Sequence, residues 1–271
     1  MKPALRVEPA ADEDMPRCME IFNQSFGFVP IHELSHGADT PANRLVTAAL
    51  HLRGQREHQA RFPRAPPVCV KCVATVVPQQ QQQQQQLLQH LDDDPAVTAT
   101  TVNGSIQGDV QDKIVGYAEW FIYDRARTAA DDSSEPFMSR FSWMQETDPE
   151  GRARCLAFVR PGNEARRRRM GGRPHGQLKF MCVDGAHRRQ GVGSAVVRWG
   201  MDRCAELGVP AYLEASVEGM ELYRRMGFED MGPATDDRGE PYAYPAMIWW
   251  PPGVRRDDDG AAGVEDVVMA Q

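Results

Sequence analysis

The apolar and polar positions along the chain change period repeatedly, and these changes predict a mixed α/β domain. The clearest unit spans residues 177–232. It begins with an apolar strand at residues 178–183, followed by a glycine turn and a helix with apolar positions every three or four residues. Gly208 is placed to end that helix. A strand at residues 211–215 and a short helix at residues 218–226 complete the unit.

The segments around this unit show the same two periods. We predict strands at residues 4–9, 68–77, 114–123, 228–231 and 246–250, and helices at residues 12–26 and 42–61, with a loop at residues 27–41. The first of these helices has an acidic first turn, which suits the positive end of the helix dipole. Without insertions the element order is β-α-α-β-β-β-α-β-α-β-β.

Two insertions interrupt this order. The first, at residues 78–112, contains a run of glutamines and too few apolar residues to offset its ordering entropy, so we predict that it is disordered. The second, at residues 124–177, predicts a short helix on Phe137, Phe141 and Met144, then an exposed loop at residues 160–174. Residues 1–253 therefore form one predicted domain with two insertions, and residues 254–271 a disordered tail.

Composition narrows the classes of function. The net charge of the 271-residue chain is −7, which is not the basic balance of a nucleic-acid-binding protein. No window approaches the roughly 18 apolar residues of a membrane span, and no apolar leader opens the chain. We therefore expect a cytoplasmic protein whose six cysteines are reduced thiols. The basic run at residues 166–169 offers nuclear import as the alternative, although most such runs are solvated loops.

The glycine turn at residues 188–194 has the features of an anion site. Gly191 and Gly193 allow a ligand to approach the backbone, and the N–H groups that begin the following helix favour a negative charge. Arg188 and Arg189 add positive charge, so a diphosphate is the expected guest. No Gly-Lys-Ser/Thr follows, which excludes a P-loop, and Val196 stands where the dinucleotide fingerprint needs a small residue.

The turn also fits the pattern Arg/Gln-x-x-Gly-x-Gly/Ala, because residues 188–193 read Arg-Arg-Gln-Gly-Val-Gly. Downstream, residues 213–216 read Leu-Glu-Ala-Ser and residues 222–228 read Leu-Tyr-Arg-Arg-Met-Gly-Phe. With these three signals the chain resembles the GNAT superfamily of acetyl-CoA-dependent N-acetyltransferases, most closely its uncharacterised fungal members. One departure is that residues 216–219 lack the asparagine that many members place before the tyrosine.

The resemblance implies a mechanism for the whole site. Acetyl-CoA would be the co-substrate, without a metal, and the acceptor a primary amine of a small molecule or peptide. The sheet would splay between the strands that end at Val183 and Ala215, and the coenzyme would contact the residues Met181, Cys182, Val183, Arg188, Arg189, Gln190, Gly191, Val192, Gly193, Ser194 and Ser216. Tyr223 would be the general acid that protonates the departing thiolate. An ammonium acceptor must also lose a proton, and Glu214 and Glu119, both on predicted strands, are the candidate general bases, with Glu214 named first; a solvated strand residue is the alternative for each.

Three other readings stay open at this stage. His32-Glu33-Leu34-Ser35-His36 has the letters of a zinc hydrolase, but Pro30 and Gly37 restrict it to one helical turn, so a loop is the stronger expectation. Cys69 and Cys72 could bind zinc, yet residues three apart on a strand face opposite ways. Cys182 could be a nucleophile, but a buried thiol is expected. A GNAT-like module that binds acyl-CoA without transferring the acyl group is the runner-up function.

Overall fold

A computed structural model describes residues 3–76, 111–128, 149–232 and 244–254. Its strands form a seven-stranded sheet in the order β1-β2-β3-β4-β5-β7-β6. The strands are β1 (Ala4–Pro9), β2 (Cys69–Val76), β3 (Gln111–Tyr123), β4 (His175–Val183), β5 (Ala211–Glu214), β6 (Glu229–Asp230) and β7 (Ala246–Trp249). Among the described pairings β4 and β5 run parallel and the rest antiparallel, which confirms the mixed α/β sheet.

Helices cover both faces of the sheet. In chain order they are α1 (Met15–Phe26), α2 (Pro30–His36), α3 (Pro41–Arg61), α4 (Pro149–Met170), α5 (Val192–Leu207) and α6 (Val217–Arg225), with single turns of 3-10 helix at Asp12–Asp14 and Gly185–His187. Helix α5 packs on one face, with β3 and β4 beneath it, while α1 and α3 pack on the other. The predicted apolar stripe of α1 is confirmed, since Met15, Cys18, Met19 and Phe22 are buried.

The two cysteines of β2 show the alternation of a strand. Cys69 packs in the core cluster that includes α1, whereas Cys72 packs in the cluster that includes α5. Both are free and buried. The prediction that they face opposite sides is therefore confirmed, and they serve the two cores as packed thiols.

Two predicted loops contain helices. Helix α2 lies within residues 27–41, begins at Pro30 and buries His32, Ser35 and His36. Helix α4 replaces the exposed loop predicted at residues 160–174, and Arg166 in its basic run is buried. Proline suits the first helical position. Helix α4 also has Pro161 in its interior, and an interior proline predicts a break in a helix. Burial of one side of each helix outweighs these weak local preferences.

The predicted insertions also begin and end differently. Strand β3 starts at Gln111 and β4 at His175, so each takes residues that the sequence assigned to an insertion. The glutamine run at residues 79–86, the helix predicted on Phe137, Phe141 and Met144, and the C-terminal tail from residue 255 lie outside the described residues. Within the described ranges no helix has the length and apolar content needed to cross a membrane.

Candidate active site

The sheet opens between β4 and β5. Their parallel pairing covers only Gly176–Leu178 of β4 against Ala211–Leu213 of β5. Strand β4 then continues to Val183, paired on its other side with β3. The edge that faces β5 from Lys179 onward, including Met181, Cys182 and Val183, therefore has backbone groups with no strand partner among the described residues. This opening lies where the resemblance implied a splay, and such an edge can pair with an extended ligand.

The glycine turn stands directly beyond this open edge. Arg188 is extended, Arg189 has a φ of 60° and Gly191 a φ of 94°. Gly191 precedes α5 as its N-cap and has no side chain that could cap the helix. The first N–H groups of α5, from Val192 to Ser194, have no acceptor within the helix. The turn thus presents backbone donors at the positive end of a helix.

Side chains around the turn leave its backbone accessible. Arg188, Arg189 and Gly191 are exposed, whereas Val192 is buried and anchors the turn in the core. The Gln190 side chain folds back towards Ala186, because its Nε2 donates to the carbonyl oxygen of Ala186 at 3.0 Å.

The close approach at Gly193 fixes the start of α5. A Cβ at Gly193 would lie 3.3 Å from Leu222 and 3.4 Å from the sulfur of Met181. A larger residue there would have to displace the ends of the Leu222 and Met181 side chains. Glycine at this position therefore allows the start of α5 to pack closely against β4 and against α6, the helix of Tyr223.

Asp184 connects the segment before the glycine turn to helix α1. The sequence analysis did not single out this residue. Its Oδ1 accepts from the N–H of Ala186 and bonds Nδ1 of His187, each at 3.0 Å, and its Oδ2 pairs with Arg17 of α1. Burial alone would raise the pKa of Asp184, but the bonds from His187, Ala186 and Arg17 outweigh burial and lower it. The local signal was an aspartate immediately after a strand and before glycine, which is typical of a side-chain-capped turn.

Tyr223 lies on α6, whose first turn is capped by Ser216. The Ser216 side chain accepts from the N–H of Gly219 at 3.3 Å, so this predicted coenzyme contact also has a structural role. The Tyr223 ring packs edge-on against Phe228, with 5.9 Å between centroids. Burial raises the pKa of Tyr223, and the nearby Cys182 raises it further. Its hydroxyl makes no hydrogen bond to the residues described, so it stays protonated and available to a ligand.

The two candidate bases lie on the opposite face, towards α3 and α4. Oε1 of Glu119 accepts from Tyr117 and bonds Nδ1 of His51, and the Glu119 side chain is almost completely buried. Glu214 is half-buried at the end of β5, and its Oε1 accepts from the Tyr212 hydroxyl at 3.1 Å. Glu214 is therefore the more accessible carboxylate, and Glu119 is part of an internal network.

Cys182 and the histidine pair are packed side chains. Burial raises the pKa of the Cys182 thiol well above its usual range, which opposes thiolate formation. His32 and His36 stack with 4.7 Å between ring centroids, and burial lowers the pKa of both. They lie on a helix of seven residues, longer than the single turn expected. The described part of the chain has no group of three His, Cys, Asp or Glu side chains placed to hold a metal ion.

Comparison with known proteins identifies the class of enzyme and the protein family of this chain. The profile of the Acetyltransferase (GNAT) family matches residues 74–228. A probable acyltransferase, SID5, from Ajellomyces capsulatus is 30% identical over 122 residues, which cover 42% of this chain and 81% of that protein. The protein is thus an acyltransferase by class. The chain belongs to the GNAT acetyltransferase family.

Solved structures share the fold. The mosquito protein named arylalkylamine N-acetyltransferase like 5b superposes with a TM-score of 0.51 and 12% identity, over 91% of this chain and 100% of its own. Arylalkylamine N-acetyltransferase 2 from Aedes aegypti gives a TM-score of 0.50 and 13% identity over 91% and 98% of the two chains. At these identities the likeness concerns the fold alone.

Proposed function

We propose that the protein transfers an acetyl group from acetyl-CoA directly to a primary amine. The observation that carries this proposal is the open edge of β4 beside the glycine turn, where the turn leads into the N–H groups of residues 192–194 that begin α5. The members of this family generally use acetyl-CoA, and the family match spans both features.

The residues at the turn fit the coenzyme. A diphosphate needs converging N–H donors and positive charge, and the left-handed residues Arg189 and Gly191 with the exposed guanidinium groups of Arg188 and Arg189 offer both. The edge from Met181 to Val183 would hold the pantetheine arm through backbone hydrogen bonds. Bound acetyl-CoA would supply the acetyl group as an activated thioester.

Transfer forms a bond from the acceptor nitrogen to the acetyl carbon and breaks the bond from that carbon to the coenzyme sulfur. One proton leaves the nitrogen and one is delivered to the sulfur. Tyr223 would hold the second proton on its hydroxyl, because its raised pKa keeps it protonated. Glu214 would accept the first, since it is half-buried and has one oxygen, Oε2, outside the bond to Tyr212. Cys182 is not needed as an acceptor of the acetyl group.

Two measurements on the full chain test this function. We expect acetyl-CoA to raise the melting temperature and CoA to be released when amines, amino sugars, amino acids or peptides are added. Stabilisation by acetyl-CoA without turnover of any acceptor would favour the non-catalytic module. Stabilisation by zinc instead of acetyl-CoA would point to the hydrolase suggested by His32 and His36.

A further inference from the structure

Lys179 occupies a position that the proposed reaction does not use. It is the extra residue of a β-bulge, because Glu119 of β3 pairs with Phe180 and Trp120 pairs with Leu178. On the other side it follows the last β4–β5 pair, Leu178 with Leu213, and so lies beside Glu214 where the strands separate. Lys179 is thus placed between the two carboxylates of the candidate site.

Among the residues that the structure describes, neither Lys179 nor Arg166 contacts a carboxylate. Half-buried Lys179 forms no hydrogen bond or ion pair with the residues that the structure describes. Arg166 of α4 is only 6% exposed, and its Nη1 donates to Nε2 of His175 at 3.4 Å. The buried Nε of Arg166 has no acceptor among the described residues. The guanidinium lies 5.7 Å from the centroid of the Tyr123 ring. Because an enclosed cation is stabilised by a paired anion, an anionic ligand group would be favoured beside it.

These groups share one face of the sheet. Tyr212 pairs with Gln177 in register, and its hydroxyl bonds Glu214, while the Tyr212 ring packs with Met170 of α4. His175 lies two residues before Gln177 on β4 and therefore points to the same side. Both Arg166 and Glu214 are consequently on the α4 face.

The pKa shifts of Lys179 and His175 also indicate that these charged groups lie near one another. Burial lowers the pKa of Lys179; Glu214 opposes this shift, Arg166 adds to it, and Glu119 opposes it. Burial and then Arg166 lower the pKa of His175 to about 3, so its imidazole is neutral and its Nε2 can accept the hydrogen bond from Arg166. Lys179 is therefore close enough to Arg166, Glu214 and Glu119 to interact electrostatically with each of them.

We infer that Lys179 and Arg166 bind a carboxylate of the acceptor, and that the acceptors are amino carboxylates such as amino acids. The inference rests on the proposed function, since Glu214 must face the acceptor amine. A simple amine would place its ammonium at Glu214 and leave both cations without an anion. An amino acid supplies the ammonium and the carboxylate together, and so pairs each charge of this face.

Matched acceptor pairs test the inference. Each pair is an amino acid and the amine that lacks its carboxylate: phenylalanine and phenethylamine, ornithine and putrescine, leucine and isoamylamine. We expect CoA release to show a kcat/KM for the amino acid higher by about 10–100-fold in at least one pair, the range of a charged hydrogen bond. Equal or better use of the amine in every pair, or no amino acid accepted, would overturn the inference.

Three variants locate the carboxylate. Lys179→Met should raise KM for the amino acid and reduce the preference to a few-fold, while Lys179→Arg, which keeps the charge, should retain it. Arg166→Lys should weaken calorimetric binding of the amino acid to the CoA-bound protein. A wild-type preference in both Lys179→Met and Arg166→Lys would refute the assignment.

The result also separates this inference from the proposed function. Use of amines alone, with acetyl-CoA binding intact, refutes only the carboxylate site. Absence of both acetyl-CoA binding and CoA release in the wild type refutes both. Unchanged acetyl-CoA affinity in each variant shows that its fold is retained.

Discussion

Gly200 of α5 lies directly against the indole ring of Trp120 on β3. A Cβ at position 200 would overlap the ring atoms of Trp120. The indole Nε1 donates to the carbonyl oxygen of Val196, one turn earlier on the same helix, at 3.1 Å. Helix α5 thus packs at a short distance from the sheet, and its first turn is positioned at the edge of β4.

Gly200→Ala should therefore destabilise the protein. Overpacking against Trp120 is expected to cost about 1–3 kcal/mol, more than the gain in helix propensity of about 1 kcal/mol. Urea denaturation measures the change. Gly185→Ala is the control, because a Cβ there meets no heavy atom within 4 Å. Equal loss of stability in both variants would contradict the packing argument.

The two glycines that bound α5 allow strain to be separated from ligand binding. Gly191 has a φ of 94° and Gly208 a φ of 66°, and a Cβ would have space at both. Alanine should cost about 1–2 kcal/mol at each position through its left-handed backbone. Only Gly191→Ala should also weaken acetyl-CoA binding, by roughly tenfold for each 1.4 kcal/mol lost at the turn. Calorimetry on both variants decides this, and equal affinities would remove the turn from the coenzyme site.

Tyr223→Phe should lower kcat by on the order of 100-fold and leave the Kd for acetyl-CoA unchanged. The phenol is expected to supply a proton late in the reaction, and general acids contribute in this range. The ring contact with Phe228 survives the substitution, so the melting temperature should hold. If the variant turns over at the parental rate, Tyr223 is a packing residue.

The two glutamates should respond differently to loss of charge. Glu214→Gln is expected to lower kcat by about 100-fold with little change in stability, because Glu214 is half-buried and, among the described residues, hydrogen-bonded to Tyr212 alone. Steady-state kinetics and thermal melting of the variant measure both effects. A parental kcat would show that Glu214 is not the base.

Glu119→Gln should act mainly on stability. The Glu119 carboxylate is enclosed and hydrogen-bonded to both His51 and Tyr117, and disrupting such a buried polar network costs about 1–3 kcal/mol for each group left unsatisfied. We expect a large fall in the free energy of unfolding in urea. A stable Glu119→Gln protein without activity would instead transfer the role of base to Glu119.

Asp184 should give the protein an acid-dependent stability. Its folded pKa is lowered, so its contribution is present above the unfolded pKa of about 3.9 and is lost as the pH falls through the folded value. Asp184→Asn should therefore cost about 1–3 kcal/mol at pH 6 and much less near pH 3. Urea titrations of both proteins at each pH test this, and an equal cost at both would exclude the linkage.

The sequence predicts the parts of the site that are contiguous in the chain. The turn at residues 188–194 and helix α5 follow from glycine positions and apolar spacing, which are local signals, whereas the role of Tyr223 is implied by the family resemblance. The clamp between Arg17 and Asp184 and the bond between His51 and Glu119 join residues far apart in sequence. Such contacts depend on strand order and register, which no local pattern contains.

Helix α4 was mistaken for a loop for a related reason. Its sequence carries Pro161, a run of arginines and a weak apolar stripe, so neither propensity nor periodicity favours a helix. Its stability comes from packing: Cys155, Val159, Ala165 and Met170 are buried. For the same reason the sequence does not single out Arg166: the pattern predicts that all four arginines at residues 166–169 are solvated, whereas Arg166 is enclosed in the structure.

The burial of all six cysteines has a practical consequence. Burial raises the pKa of Cys72 to about 11 and those of Cys18 and Cys204 to about 12, and the thiolate is the reactive form. A chromogenic disulfide reagent should then leave the native protein unmodified and report free CoA continuously, with almost no background. In denaturant the same reagent should count six thiols, so one colour reaction measures turnover in the folded protein and the fraction unfolded in any variant.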